Sequence, residues 1–164
     1  MDKKEDFLRS MLPDLPFDFL VGSVHSVYDI AYDCSWSVEC LWDAFKTDDI
    51  YREYYKSVFN CIKSGLFTQL GHPDTIKMFS RYPNYDLTPT YHEMAELLNQ
   101  YGVFAENNTG AYYRYNYPEI GLSDELLGIL REHDCRMITV SDAHKPGDCG
   151  NYIADIWDKT FGKQ

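Results

Sequence analysis

Residues Met137 to His144 read "MITVSDAH", and Lys145-Pro146-Gly147 follow. The apolar run Met137-Ile138-Thr139-Val140 has the length and composition of a short buried strand. It ends abruptly in Ser141-Asp142-Ala143-His144, and Pro146 and Gly147 stop any regular continuation. A strand that finishes on a carboxylate and an imidazole two residues apart has two readings. One is a polar turn with an incidental histidine. The other is a metal site, because Asp oxygen and His nitrogen both ligate divalent ions.

The segments upstream decide between them. Three more strand-like runs precede this one: "FDFLVGSVH" (Phe17 to His25), "LFTQLGH" (Leu66 to His72) and "VFAENNTG" (Val103 to Gly110). Helical patterns separate them. "IYREYYKSVFNCIKSG" follows Asp48 and Asp49, either of which is a candidate cap, and Gly65 is its stop signal. Thr90 to Tyr101 reads as a helix after Pro89, closed by Gly102, and Ser123 to His133 as a helix with Ser123 as cap. Asp148 to Phe161 reads as a last helix, and residues 2 to 12 as a short amphipathic helix ended by Pro13 and Pro16. "SVYDIAYDCSWSVECLWDAF" reads as an aromatic loop with a short helix from Ser37. Asp74 is a candidate cap for a helix starting at Thr75.

Strand and helix alternate four times, which predicts an α/β fold with a mostly parallel sheet. The strand ends are His25, His72, Glu106 and Asp142 with His144, spaced 34 to 47 residues apart. A βαβ repeat needs about 30 residues or more. Such repeats deliver every strand's C-terminal end to one face. Five polar residues scattered through the sequence are thus predicted to meet at one site.

The bulk composition bounds the partners. The chain has 164 residues, 45% apolar and 16% aromatic, including 14 tyrosines. That suits one domain, residues 1 to 164, with a real core. The net charge of -11 and the absence of a Lys/Arg cluster argue against nucleic acid. An acidic surface favours cationic ligands and metal ions. Five cysteines without a CxxC pair point to free thiols in a reducing compartment, so the expected location is the cytoplasm. No run reaches the roughly 18 apolar residues of a membrane span, and no membrane partner is expected.

Together "FDFLVGSVH", "GHPD" (Gly71 to Asp74) and "SDAH" resemble the PHP superfamily of metal-dependent phosphoesterases. "ENNTGAYYRYNYPE" (Glu106 to Glu119) resembles a segment of its histidinol-phosphatase branch. The resemblance runs from about Pro16 to Gly150. It implies a distorted (β/α) barrel of the PHP type with two or three divalent ions, Zn, Mn or Fe, at the strand ends. By resemblance His25 and His72 are ligands of one ion, Asp142 of a second and His144 of a third, with Asp142 and His144 closest to catalysis. The family's metals activate water and clamp a phosphate. Arg81 with Tyr82, and Arg114, fall in segments where the branch binds phosphate, and guanidinium suits that task. Arg114 stands two residues later than the usual place, where this chain has Tyr112. Glu106 either binds substrate or holds a ligand histidine, with a structural ion pair as the plain alternative. His92 and His133 fall within helix patterns and are expected at the surface.

The chain departs from the family in having no H-x-H motif. A full (β/α) barrel takes roughly 200 residues or more. About four βα units are therefore expected, as a partial barrel corresponding to the family's C-terminal part. The implied activity is hydrolysis of L-histidinol phosphate to L-histidinol and phosphate, a step of histidine biosynthesis. The alternative is an inactive chain, or a subunit that completes its barrel with another. The open flank of the first strand makes a homodimer, or a complex with an N-terminal fragment, the expected means of covering it. Another PHP activity, such as a nuclease, is disfavoured by the charge.

Overall fold

A computed structural model describes residues 3–162. The expected helix start at Asp2 lies outside them. The main sheet has four parallel strands: β1 (Val21–Gly22), β4 (Gln69–Leu70), β5 (Phe104–Asn108) and β6 (Met137–Val140). Its spatial order β1-β4-β5-β6 follows the chain. β1 and β6 are its two edges, so the sheet is open. Between β1 and β4 a small antiparallel pair intervenes, β2 (Ser26–Val27) with β3 (Ile30–Ala31).

Parallel neighbours need crossover connections, and helices supply them. The first two helices are α1 (Lys3–Met11), ahead of the sheet, and α2 (Thr47–Lys63), which leads into β4. Next come α3 (Thr88–Tyr101), between β4 and β5, and the short α4 (Gly110–Tyr115). The last two are α5 (Asp124–Glu132), before β6, and α6 (Ile153–Phe161).

Apolar periodicity explains the packing. On α2, Ile50, Tyr51, Tyr54, Tyr55, Val58 and Ile62 are buried, one face at helical spacing. α3 contributes Tyr91, Met94, Ala95, Leu97 and Leu98, and α5 Leu126, Leu127, Ile129 and Leu130. These join Leu70, Ala105 and Cys135 in one continuous core. Gly22 in β1 permits close packing: a Cβ there would stand 2.6 Å from the Phe67 ring and 2.7 Å from Cys61 Sγ. Ser123 caps α5, its hydroxyl accepting from Leu126 N–H.

Several expectations are corrected. α2 starts at Thr47, before the proposed aspartate caps. The aromatic loop contains an unexpected β2–β3 hairpin, while the short helix expected from Ser37 is present as a π-helical turn, Val38–Trp42. A 3-10 helix does begin at Thr75, but the Asp74 carboxylate caps nothing there. It accepts from Ser123 N–H at 2.9 Å and pairs with Lys77 at 2.8 Å. "GAYYRY" forms a helix of its own. The last helix begins at Ile153, after a turn that Gly150 enters with φ +82. Among the described residues no helix is long and apolar enough to cross a membrane.

Candidate functional site

The C-terminal ends of the strands enclose a cavity of about 280 Å³. His25, His72, Glu106, Arg114, Asp142 and His144 all line it. The five strand-end residues thus line one cavity, and Arg114 joins them. This convergence follows from the parallel order, which carries every strand's end to one side.

The two inner histidines meet edge to face, ring centroids 4.8 Å apart at 71°. His25, just after β1, has its Nδ1 3.0 Å from Oδ2 of Asp33. The hairpin after His25 returns the chain so that Asp33 also lines the cavity. That hydrogen bond raises the His25 pKa above its ordinary value, against the opposing effect of burial. His72 follows β4 with φ +30, a left-handed conformation that a non-glycine residue adopts only when its surroundings impose it. Its Nδ1 is buried without a hydrogen-bond partner. Burial, then the neighbouring His25, holds its pKa down, so the ring is neutral and keeps a free lone pair.

Glu106 lies at the centre of β5, 5% exposed. Its carboxylate accepts from the Gln69 side-chain amide, from Asn108 Nδ2 at 2.6 Å and from His72 N–H at 3.3 Å. Burial raises its pKa more than these donors lower it. Glu106 thus anchors the backbone that carries His72. Asp142, beyond β6, also has positive φ, +50. Its Oδ2 accepts from Arg114 Nη2 at 2.5 Å, and Nη1 of Arg114 donates to its carbonyl. Oδ1 lies 3.6 Å from His144 Nε2, and His144 is exposed at the cavity mouth. Arg114 Nε is buried with no partner. Gly110 lets this pair approach α4: a Cβ there would be 2.6 Å from Asp142 Oδ2 and 2.7 Å from Arg114 Nη2.

Arg81 and Tyr82 are not in this cavity. The 3-10 turn after His72 ends on Ser80 with φ +55, and the chain turns outward. Arg81 Nη1 then donates to Trp42 O at 2.9 Å and Asp43 Oδ1 at 2.7 Å. Tyr82 shares a 2.8 Å hydrogen bond with Tyr117. In so acidic a chain an arginine finds a carboxylate nearby, here at the C-terminal end of the π-helical turn. His92 and His133 are half-buried between α3 and α5 and bond each other at 2.8 Å. Asp33 and Asn108 were not singled out from the sequence. Asp33 carried one signal, a carboxylate eight residues after a strand-end histidine.

Two imidazoles, one with an orphaned nitrogen, fit a divalent ion. The fit is incomplete: among the described residues no three His, Cys, Asp or Glu side chains are grouped closely enough to hold one. His25–His72 and Asp142–His144 form two separate pairs on one cavity.

Comparison with known proteins agrees with this architecture. The chain is 30% identical over 155 residues to a Deinococcus radiodurans protein named as a probable histidinol-phosphatase. The match covers 92% of this chain and 56% of that relative. Among solved structures, a candidate histidinol phosphatase from Listeria monocytogenes superposes with a TM-score of 0.80 at 17% identity, over 93% of this chain and 64% of its own. Histidinol phosphate phosphatase from Lactococcus lactis, solved with zinc, L-histidinol and phosphate, gives 0.68 at 16% identity, over 99% of this chain and 64% of its own. No family model matches the chain. These structures share its fold, and the chain spans less than two thirds of the length of each relative.

Proposed function

We propose that this chain serves metal-dependent hydrolysis of a phosphomonoester, with L-histidinol phosphate as substrate and a divalent ion (Zn, Mn or Fe) as cofactor. The observation that supports it best is the meeting of His25, His72, Asp142 and His144 on one cavity. The zinc, L-histidinol and phosphate bound in the Lactococcus structure of the same fold support this choice of substrate and metal class. A cytoplasmic setting and a single-domain organisation accompany this reading.

In it, His72 Nδ1 and His25 Nε2 hold the metal. Asp33 occupies the other nitrogen of His25 and fixes its orientation. The ion, when bound, polarises the phosphoryl oxygens and lowers the pKa of water beside them. The chain's own groups do the rest. Arg114, held by Asp142, has its unpaired Nε–H to donate to a phosphoryl oxygen. His144, steered by Asp142, stands where it can give a proton to the leaving alkoxide. Glu106 positions His72 rather than touching substrate.

The test is phosphate release from L-histidinol phosphate by chelator-stripped protein, with each metal added back. Metal-dependent release that His72→Ala abolishes is expected. Absence of both turnover and metal binding would overturn the proposal.

A second reading rests on the lack of a three-ligand group. In it the site is completed by a second polypeptide, a copy of this chain or a complementing N-terminal fragment, docked along the β1 edge. Val21, 50% exposed, leaves apolar surface there to be covered. Light scattering of the protein alone, and activity on adding such a fragment, separate the two.

A further inference from the structure

The outer helices bring two further imidazoles together. His92, in the second turn of α3, and His133, directly after α5, meet where these helices pack. His92 Nδ1 and His133 Nε2 are 2.8 Å apart, with ring centroids at 5.0 Å, so the rings meet head-on through those two nitrogens. Both side chains are half-buried, within reach of ions from solvent. None of the residues lining the candidate active cavity belongs to α3 or α5.

The backbones that carry the rings are fixed. Asn99 Nδ2 donates to His133 O at 2.7 Å, and Cys135 Sγ is directed at Ala95 O. Met94 and Leu98 of α3 and Leu126 and Leu130 of α5 are buried in the shared core. The separation of the rings is therefore set by the fold and not by two mobile surface side chains.

A hydrogen bond between two ring nitrogens uses one N–H and one lone pair. Moving that proton to the outer nitrogen of the same ring is a change of tautomer. It leaves both facing nitrogens as lone-pair donors, with no proton gained or lost. The outer nitrogens, His92 Nε2 and His133 Nδ1, have no protein partner among the described residues, so either accommodates it. Two nitrogens each about 2.0 Å from one ion, at a right angle, are about 2.8 Å apart. That is the separation observed here, and it is the tetragonal arrangement that copper(II) and nickel(II) favour. A tilt of each ring turns both lone pairs onto one ion with the helices in place. Glu96, one turn on from His92 and exposed, adds negative charge beside the pair.

We infer that His92 Nδ1 and His133 Nε2 chelate a divalent transition ion, copper(II) in preference to nickel(II) or zinc, and that the ion ties α3 to α5. Among the described residues no third His, Cys, Asp or Glu is grouped with them, so water fills the remaining positions. The inference does not depend on phosphatase activity, because the two sites share no residue.

The experiment adds copper(II) chloride to the full chain carrying His72→Ala, which disables the histidine pair of the candidate active cavity. At one equivalent, electron paramagnetic resonance should show a tetragonal signal with two imidazole nitrogens. Adding His92→Gln or His133→Gln, each at a half-buried position, should weaken copper affinity about 100-fold, the order of loss when one of two linked contacts is removed. Unchanged affinity on adding either substitution would overturn the inference. So would a two-nitrogen signal that wild-type protein gives and His72→Ala lacks, which would place the copper in the cavity, or the absence of such a signal from both.

Discussion

The Nδ1 atom of His25 and the Oδ2 atom of Asp33 are 3.0 Å apart, linked across the turn that the β2–β3 hairpin makes. A carboxylate on one imidazole nitrogen fixes the tautomer and aims the other nitrogen. Here the other nitrogen belongs to a ring packed on His72, whose own Nδ1 has no partner. The carboxylate thus orders the half of the cavity that best suits a metal ion.

Asp33→Asn should lower zinc affinity by about 10- to 100-fold, the usual effect of removing a carboxylate behind a ligand histidine. The fold should be unaffected, since Asp33 lies outside the core. Calorimetric titration of chelator-stripped protein measures it. Equal zinc affinity in the variant would remove Asp33 from the site.

Among the described residues Lys77 is the most deeply placed cation, 7% exposed, with Asp74 at 2.8 Å and Glu119 at 2.9 Å. Replacing it by methionine strands the Asp74 carboxylate in the interior, and a broken buried pair costs about 3–5 kcal/mol. Thermal unfolding of Lys77→Met should show the corresponding loss. The pH dependence has a definite sign. Burial depresses the Lys77 pKa, but Asp74 and Glu119 outweigh it and the net shift is upward. The pair's contribution is then fully present below the ordinary lysine value of about 10.5 and is lost as pH rises through the higher folded value. Wild-type protein should lose this stability at alkaline pH, and Lys77→Met, having none to lose, should not.

The sheet was legible because four apolar runs end in polar residues at a repeating interval, and that period survives even where the strands are short. β1 and β4 are two residues each, yet both carry their histidines to the shared face. What the sequence hid was local. The hairpin at Ser26–Ala31 turns on Tyr28 and Asp29, both at positive φ, without the glycine that advertises such a turn. That turn is what brings Asp33 to His25. Arg81 was misplaced for a related reason: Ser80, also at positive φ, redirects the chain toward Asp43. Helix α4 was hidden by its aromatic residues, which suit a strand equally well.

The five thiols should divide by reactivity. Burial pushes Cys61 and Cys135 up to about 11, whereas Cys40 and Cys149 are exposed. Thiolate is the reactive form, so near neutral pH the first two should alkylate about 100-fold more slowly than an ordinary thiol. Mass spectrometry after brief iodoacetamide treatment of native protein should find Cys40 and Cys149 modified first. Early labelling of Cys135 would show that the α3–α5 packing opens readily, because its Sγ is directed at Ala95 O in that core.

Gly110→Ala separates the site from the fold. Gly110 is the first residue of α4, and its N–H donates to Asn108 Oδ1 at 2.6 Å. Its φ is unexceptional, so alanine is tolerated by the backbone, and in a helix alanine is favoured over glycine by about 1 kcal/mol. The added methyl, however, would fall 2.6 Å from Asp142 Oδ2 and 2.7 Å from Arg114 Nη2. Both atoms belong to the pair that joins α4 to the end of β6, and one must move. Asp142 is the less able to do so, because it is short and its backbone is held at φ +50. Arg114, which lines the cavity, should therefore swing away. The expected result is a melting temperature within a few degrees of wild type, together with affinity for inorganic phosphate reduced about tenfold, the loss of one charge-assisted hydrogen bond. Arg114→Ala should reproduce the phosphate defect, and the double variant should be no worse than either alone. Unaltered phosphate binding in Gly110→Ala would show that the Arg114–Asp142 pair is structural and that phosphate is held elsewhere in the cavity.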